Sequence, residues 1–363
     1  MREPDILIVG GGPAGAAAAI ILARAGRRVV LVERESAPRE KVCGEFLGAD
    51  AIQCLSALGL DPAALGGAPI AEASIARRGC GEARMALPFL AFGLPRAIMD
   101  AALLDAAAAA GATILRGQAV RDAARAPGGW SLRLAEGAPL QAPNLILATG
   151  KHRLRALPRA AEAEGWTGAK LHLKLRAPLG AVTLLPFAGG YAGLQPSAGE
   201  EANLCAALAP GQAAAARDAA GFLALVASGS GLAAALLEGA EPRMARPLTI
   251  AGVPYGFLHR DPVGADPDLW RVGDQFAVIP SFLGDGMAMA LAGGMAAAGS
   301  ILAGQPATEF HAAWRRRLAT PMRIANVASH VLRRRPDLFA SVIAHAPAIA
   351  RQIVRRTRVP LPA

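Results

Sequence analysis

Gly10, Gly12 and Gly15 follow the apolar run DILIV at the spacing G-x-G-x-x-G, and Glu33 ends the next apolar run, RRVVLVE. Residue types in that order suit a dinucleotide. Glycines let a backbone loop approach a pyrophosphate at the positive end of a helix, and the acid accepts hydrogen bonds from an adenosine ribose. Pro13 and Ala14 open that helix, and Arg34 follows the acid at the same end of the candidate site. The glycine spacing alone is a weak signal. Here it stands behind a strand, opens a helix and is followed by an acid at the end of a second strand, which is the context the chemistry requires.

Far downstream, RVGDQFAVIPSFLGDGMAMALAGG joins Gly273 to Asp274, passes through Pro280, and sets Gly284, Asp285, Gly286 and Met287 at the start of an uncharged helix. One ligand reaches both regions only if it is long. FAD meets that condition, with its adenosine on the first turn and its ring on the second. A reduced flavin carries negative charge around N1 and O2, and a helix starting near Gly286 stabilises that charge with its N-terminus. The competing reading of the downstream stretch is a tight turn and close-packed helix without a ligand.

Together, VGGGPAG and the downstream stretch resemble the FAD-binding signatures of flavoprotein aromatic hydroxylases of the p-hydroxybenzoate hydroxylase type and of geranylgeranyl reductases, over most of the chain up to about residue 305. The resemblance implies that Asp274 bonds the ribityl chain and that the amides at Gly284 and Gly286 approach the pyrimidine ring. KVCGEFL, residues 41–47, is similar to the K-x-C-G segment beside the isoalloxazine in the reductases. That implies a cofactor contact for Cys43 and a role as weak donor or proton source; a structural thiol is the alternative. GGYAGLQP, residues 189–196, is similar to their Y-x-W-x-F-P substrate motif and keeps Tyr191 and Pro196, while Gly193 and Gln195 replace two aromatics and imply a wider pocket. Where the family carries an Asp-Gly segment used for FAD and NADPH docking, this chain reads LATGKHRLR. Gly150 is kept at the cofactor edge, but direct docking of NAD(P)H as external reductant does not carry over. Lys151, His152, Arg153 and Arg155 either attract a phosphate in its place or form a solvated basic loop. The W-x-W-x-I-P motif of flavin halogenases is missing, which argues against halogenation.

Taken together, these motifs are most similar to bacterial FAD-dependent oxidoreductases often encoded beside type III polyketide synthases, whose members hydroxylate resorcinol-type lipids. The resemblance therefore implies a monooxygenase acting on a lipophilic phenol through a flavin hydroperoxide. Reduction of a lipid or isoprenoid C=C bond, with Cys43 or Tyr191 as proton donor, is the alternative within enzymes, and a membrane-surface protein with structural FAD is the alternative of another class.

The elements that must position these residues can be read from periodicity. The first 33 residues form a β-α-β unit. Residues 97–110 form a helix, ATILRG a third parallel strand, and the stretch from RGQAV to NLILATG a β-meander inserted into the doubly wound sheet. AKLHLKLRA alternates polar and apolar residues, which predicts a sheet with one covered face in a second domain. Lys170, His172, Lys174 and Arg176 fall together on the polar face, where His172 is either a pocket base or a surface or satisfied residue. The expected class is α/β: a Rossmann-like FAD-binding domain of glutathione-reductase type (1–70, 97–155 and 246–305), a mixed α+β substrate domain (71–96 and 156–245), and a C-terminal helical segment (306–363) punctuated by Pro321, Pro336 and Pro347.

At 363 residues the chain is long enough to bury these domains without staples. Cys43, Cys54, Cys80 and Cys205 have neither C-x-x-C spacing nor partner histidines at ligand distances, so no metal site and no disulfide framework is expected, and reduced thiols point to the cytoplasm. The N-terminal run passes straight into the glycine loop and reads as a folded strand, not a signal peptide. The run 286–308 approaches spanning length but is built of Ala, Gly and Met, so a buried helix is expected. The net charge of +10 concentrates at the end, where eleven arginines from residue 311 onward are opposed only by Asp337. They form either a solvated basic face or a peripheral contact with anionic lipid; with few aromatics among them, nucleic acid is not expected. A small lipophilic substrate is the expected partner, and the oligomeric state is open.

Overall fold

The apolar runs behind the two glycine turns become strands of one parallel sheet. In the computed structural model, which describes residues 3–77, 79, 81–159 and 165–359, Ile6–Val9 lies between Val29–Glu33 and Asn144–Leu147, with Thr113–Arg116 and Leu269–Arg271 at the edges. Ile6 and Ile8 face one layer and Leu7 and Val9 the other, as the two-residue period demands. On the first face lie helices α1 (Pro13–Arg24), α2 (Ala49–Ala57) and α3 (Arg96–Ala109). On the second lies the expected meander, Val120–Ala126, Gly129–Leu134 and Leu140–Ala142, which packs Trp130 and Leu132 against Val30 and Val32. Both faces are covered, so continuous Val, Ile and Leu runs are stable in the middle.

A second, nine-stranded sheet is mostly antiparallel and is built around Trp166–Lys174, Ala202–Leu208, Gly190–Pro196 and Val182–Phe187, continued by the hairpin Ala68–Ala76 and Glu82–Gly93. One face carries α4 (Ala219–Ala227) and α5 (Gly231–Leu237), whose first turns are capped by Asp218 and Ser230. Two sequence expectations change here. The strand Leu248–Val253, assigned to the FAD-binding part, pairs with Trp166–Lys174 in this sheet. Trp166–Lys174 is buried along its whole length except Lys174, not on one face only. Residues 40–45 cross its other face and need polar partners from it. Cys80 lies outside the described residues.

Helix α6 (Gly286–Leu302) packs on α1. A Cβ at Gly294 would fall on the carbonyl oxygen of Ala14, so glycine is what lets the two helices come this close. Then α7 (Ala307–Arg334) runs through Pro321, which was expected to punctuate the segment, while Pro336 and Pro347 do begin new helices, α8 (Pro336–His345) and α9 (Pro347–Thr357). The chain end is tied back to the first domain: the Val359 N–H donates to Asp50 Oδ2 at 2.6 Å and Arg358 pairs with Asp285 at 2.8 Å. Among the described residues no helix is long and apolar enough to cross a membrane.

Candidate functional site

A cleft of ≈ 1240 Å³ runs between the two sheets and under the C-terminal helices. The N-terminal glycine loop forms one end. Gly10, Gly12, Pro13, Ala14, Glu33 and Arg34 line it. Gly12 precedes α1 in an extended conformation with no side chain capping the first turn, so the start of this helix is left to a ligand. Gly10 has φ +108°, and Gly15 sits against Gly10 so closely that a Cβ would overlap its carbonyl oxygen. Gly15 therefore sets loop packing and does not line the cleft. Glu33 holds the loop as well: Oε2 accepts the Gly11 N–H at 2.6 Å and Oε1 the Glu35 N–H at 3.0 Å. Arg34 bonds His152 Nε2 at 2.8 Å across the cleft wall.

The downstream stretch arrives at the same cleft through Gly273, Asp274, Gly284, Gly286 and Met287. Gly284 has φ +74°, and a Cβ there would strike the Phe46 ring at 2.5 Å, so only glycine turns the chain at this point. Pro280 is buried just before the turn and does not line the cleft. Asp285 begins α6 without capping it; it points away to Arg358, and burial pushes its carboxyl up to about 7 although Arg358 opposes this. Thus α6, like α1, starts at the cleft without a side-chain cap. Two such helix starts at one continuous cleft fit a ligand with a phosphate group at one end and an electron-rich ring at the other. Asp274 is paired with Lys151 Nζ at 2.9 Å. Burial disfavours the Lys151 ammonium, but Asp274 outweighs it and the pKa is raised. Gly150 lines the cleft beside Lys151, and its carbonyl accepts from Gln275 at 2.7 Å. The basic loop expected at 151–155 is therefore neither wholly solvated nor wholly a phosphate trap: its first residue is committed to Asp274.

Between the two ends, Glu40, Lys41, Val42, Cys43, Gly44 and Glu45 form a wall. Asn203 fixes this segment from the sheet side, donating to the Cys43 and Gly44 carbonyls at 3.1 and 2.8 Å. Glu45 has φ +60° and a fully buried side chain. Its carboxylate accepts from Lys170 at 2.5 Å, from the Arg96 amide at 2.8 Å, and bonds His172 Nε2 at 2.8 Å. Lys170 also pairs with Glu40. Burial alone would raise the Glu45 pKa; His172 and Lys170 overcome it and hold the carboxyl below its usual range. His172 does not line the cleft, because Glu45 stands between, so the sequence reading of a pocket base is corrected to a partner of Glu45. Cys43 does line it, with the Glu45 N–H 3.3 Å from Sγ. Tyr191 lines it too; burial raises its phenol well above the usual range, and it bonds Ser281 at 2.9 Å.

Sequence reasoning missed Glu45, Arg96 and Lys170 as a group. Arg96 forms a bidentate pair with Asp100 at 2.8 Å beside Gly12. The one available signal was the charge of Glu45 inside KVCGEFL, directly before a buried pair of apolar residues. It also missed His259, Asp261 and His311. The Arg271 N–H donates to His311 Nε2 at 2.9 Å, so the ring proton sits on Nδ1 and is shared with Asp261 at 2.9 Å. That tautomer has no lone pair for a metal, and in the Glu40–Glu45–His172 group Lys170 is already the cation. Beyond Cys43 the cleft becomes apolar, walled by Leu184, Ile324, Val331, Phe339, Ile343 and Val354.

Residues 3–132 match the family described as FAD binding domain. The menaquinone reductase of Mycolicibacterium smegmatis is 30% identical over 230 residues, which are 55% of this chain and 54% of that protein. The chain thus spans about half the length of the curated relatives it matches. Among solved structures, the flavin-dependent brominase Bmp2 superposes with TM-score 0.81 at 19% identity, over 98% of this chain and 93% of that one. PqsL of P. aeruginosa, in complex with 2-aminobenzoylacetate, superposes with TM-score 0.74 at 21% identity, over 94% and 99%. At these identities the likeness shows the fold. Over residues 3–132 the chain is thus similar to FAD binding domains, and FAD is the cofactor that the two helix starts fit.

Proposed function

We propose that this chain is an FAD-dependent monooxygenase that hydroxylates a lipophilic aromatic substrate of the phenol or resorcinol type. The observation that carries the reading is that one cleft joins both glycine turns to an apolar chamber. FAD bound there supplies two-electron chemistry and, when reduced, activation of oxygen. Gly10, Gly12, Pro13, Ala14, Glu33 and Arg34 hold its adenosine and pyrophosphate; Gly150, Gly273, Asp274, Gly284, Gly286 and Met287 hold the ribityl chain and ring; Pro280 and Asp285 shape the second turn. The segment fixed by Asn203 and Lys170 keeps Cys43 in place, and the apolar wall excludes water from the reacting atoms. Gln195 is buried beside the chamber it lines, with its Nε2 unpartnered, and suits a polar group of the substrate. Because Lys151 is engaged by Asp274, NAD(P)H docks away from Lys151 if it is the reductant.

The test is an absorption spectrum of the purified protein, anaerobic photoreduction, and mixing with O2 and alkylresorcinols. An oxygenated product formed in step with flavin reoxidation is expected, and reoxidation with no such product rejects hydroxylation. A second reading, reduction of a C=C bond in an isoprenoid chain, is favoured by relatives named menaquinone reductase and by Cys43 and Tyr191 both lining the cleft. The buried, protonated Tyr191 phenol and the Cys43 thiol would deliver the proton, and His172 would act only through Glu45. Turnover of a polyprenyl quinone under anaerobic dithionite supports this reading, and activity that requires O2 removes it.

A further inference from the structure

The apolar wall of the cleft continues into solvent. Val327 on α7, Leu338 on α8 and Ile349 on α9 are 63%, 56% and 56% exposed, and each also lines the cleft. One large apolar side chain from each C-terminal helix therefore marks the mouth. Around them stand cations. Arg323 is exposed, lines the cleft, and sits one turn before Val327. Arg334 is exposed on the same face of α7 as Arg323 and Val327, Arg335 leads into Leu338, and on α9 the stripe Ile349, Ile353, Arg356 repeats at helical spacing, while Arg351 and Arg355 are exposed on the other side of that helix. Asp337 is the one acid on α8 and α9.

We infer that the mouth of the cleft, formed by α7, α8 and α9, docks on an anionic lipid surface, from which the lipophilic substrate enters the apolar chamber. Apolar side chains ringed by arginines suit the boundary between phosphate headgroups and acyl chains, where the first lose water and the second meet opposite charge. A second copy of this chain is the poorer occupant, since a two-fold contact through this face would bring the same arginines against one another. With no spanning helix among the described residues, the contact is peripheral. The inference rests on the lipophilic-substrate reading for its purpose, but its physical content is tested without turnover.

The experiment uses the full chain loaded with FAD and sedimented with vesicles of phosphatidylcholine alone or with 30% phosphatidylglycerol. Three proteins are compared: the parent, R323Q/R334Q/R356Q, and V327S/L338S/I349S, each with flavin content and unfolding midpoint recorded. Expected are binding to the anionic vesicles only, release by 0.5 M salt, and partition weakened on the order of a hundredfold by losing three arginines. The serine variant, if folded, is expected to bind weakly and to be more salt-sensitive. Equal sedimentation with both vesicle types, no binding at low salt, or undiminished binding by the arginine variant overturns the inference. So does a concentration-dependent dimer in sedimentation velocity that the serine variant abolishes. A colourless parent protein would instead count against the FAD reading, so the two failures are told apart.

Discussion

Replacing Lys170 by Met tests how the cleft wall is held. Lys170 and Glu45 are both fully buried and 2.5 Å apart, and Glu45 sits in a left-handed conformation that its contacts must maintain. Without the ammonium, the Glu45 carboxylate keeps His172 and one amide from Arg96. Breaking one side of a buried pair costs about 3–5 kcal/mol, because a charge stays behind without its partner. The Glu40 pair adds little, since Glu40 is partly exposed and rehydrates. The double variant K170M/E45Q removes both charges while the new amide oxygen still accepts the Arg96 N–H, so most of the loss should return, with a coupling of about 2 kcal/mol or more. Urea unfolding of the FAD-loaded proteins at pH 7 reads both numbers from the midpoints at constant m. A second readout is the maleimide labelling rate of Cys43, with C43S as the blank. Burial pushes the Cys54 and Cys205 thiols up to about 12, so they react slowly. Labelling should accelerate in K170M as residues 40–45 loosen. A single variant within about 1 kcal/mol of the parent, or a double variant as unstable as the single, would refute the reasoning.

Burial lowers the His311 pKa to about 4 although Asp261 opposes it. The unfolded chain takes up this proton near pH 6.5 and the folded one only near pH 4, so stability should fall by about 3 kcal/mol as pH drops across that window and level off below it; H311Q should flatten the slope in acid titrations followed by urea midpoint. Gly294→Ala should push α6 off the Ala14 carbonyl and cost about 1–3 kcal/mol, seen as a lower urea midpoint; an unchanged midpoint would contradict the close helix approach. Glu33→Ala strips the Gly11 and Glu35 amides of their acceptor. It should weaken FAD uptake in a fluorescence titration by roughly ten- to a hundredfold while leaving the helical circular dichroism intact.

The N-terminal unit was legible because local rules decide it. A strand buried on both faces, a glycine loop and a helix announce themselves in consecutive residues, and the meander is marked by its turns at 127–129 and 136–137. Gly284 and Gly286 were legible for the same reason. The strand Leu248–Val253 was not, because nothing in six apolar and small residues says which of two sheets it joins. His172 was assigned to a half-exposed face because alternation reports the period of a strand and not what will lie across it.

By itself the sequence determined that a glycine turn suited to a dinucleotide opens the chain, that a second glycine turn starts a late helix, and that cations gather at the end. Each of these follows from spacing along a few residues, where backbone geometry and charge act locally. Only the tertiary structure decided that both turns face one cleft, that Lys170 and Glu45 neutralise each other under the Cys43 segment, and that α7 to α9 carry the apolar wall out to the surface. Those depend on side chains far apart in the chain meeting at low dielectric, and on which face of each helix finds cover, which no single stretch of residues encodes.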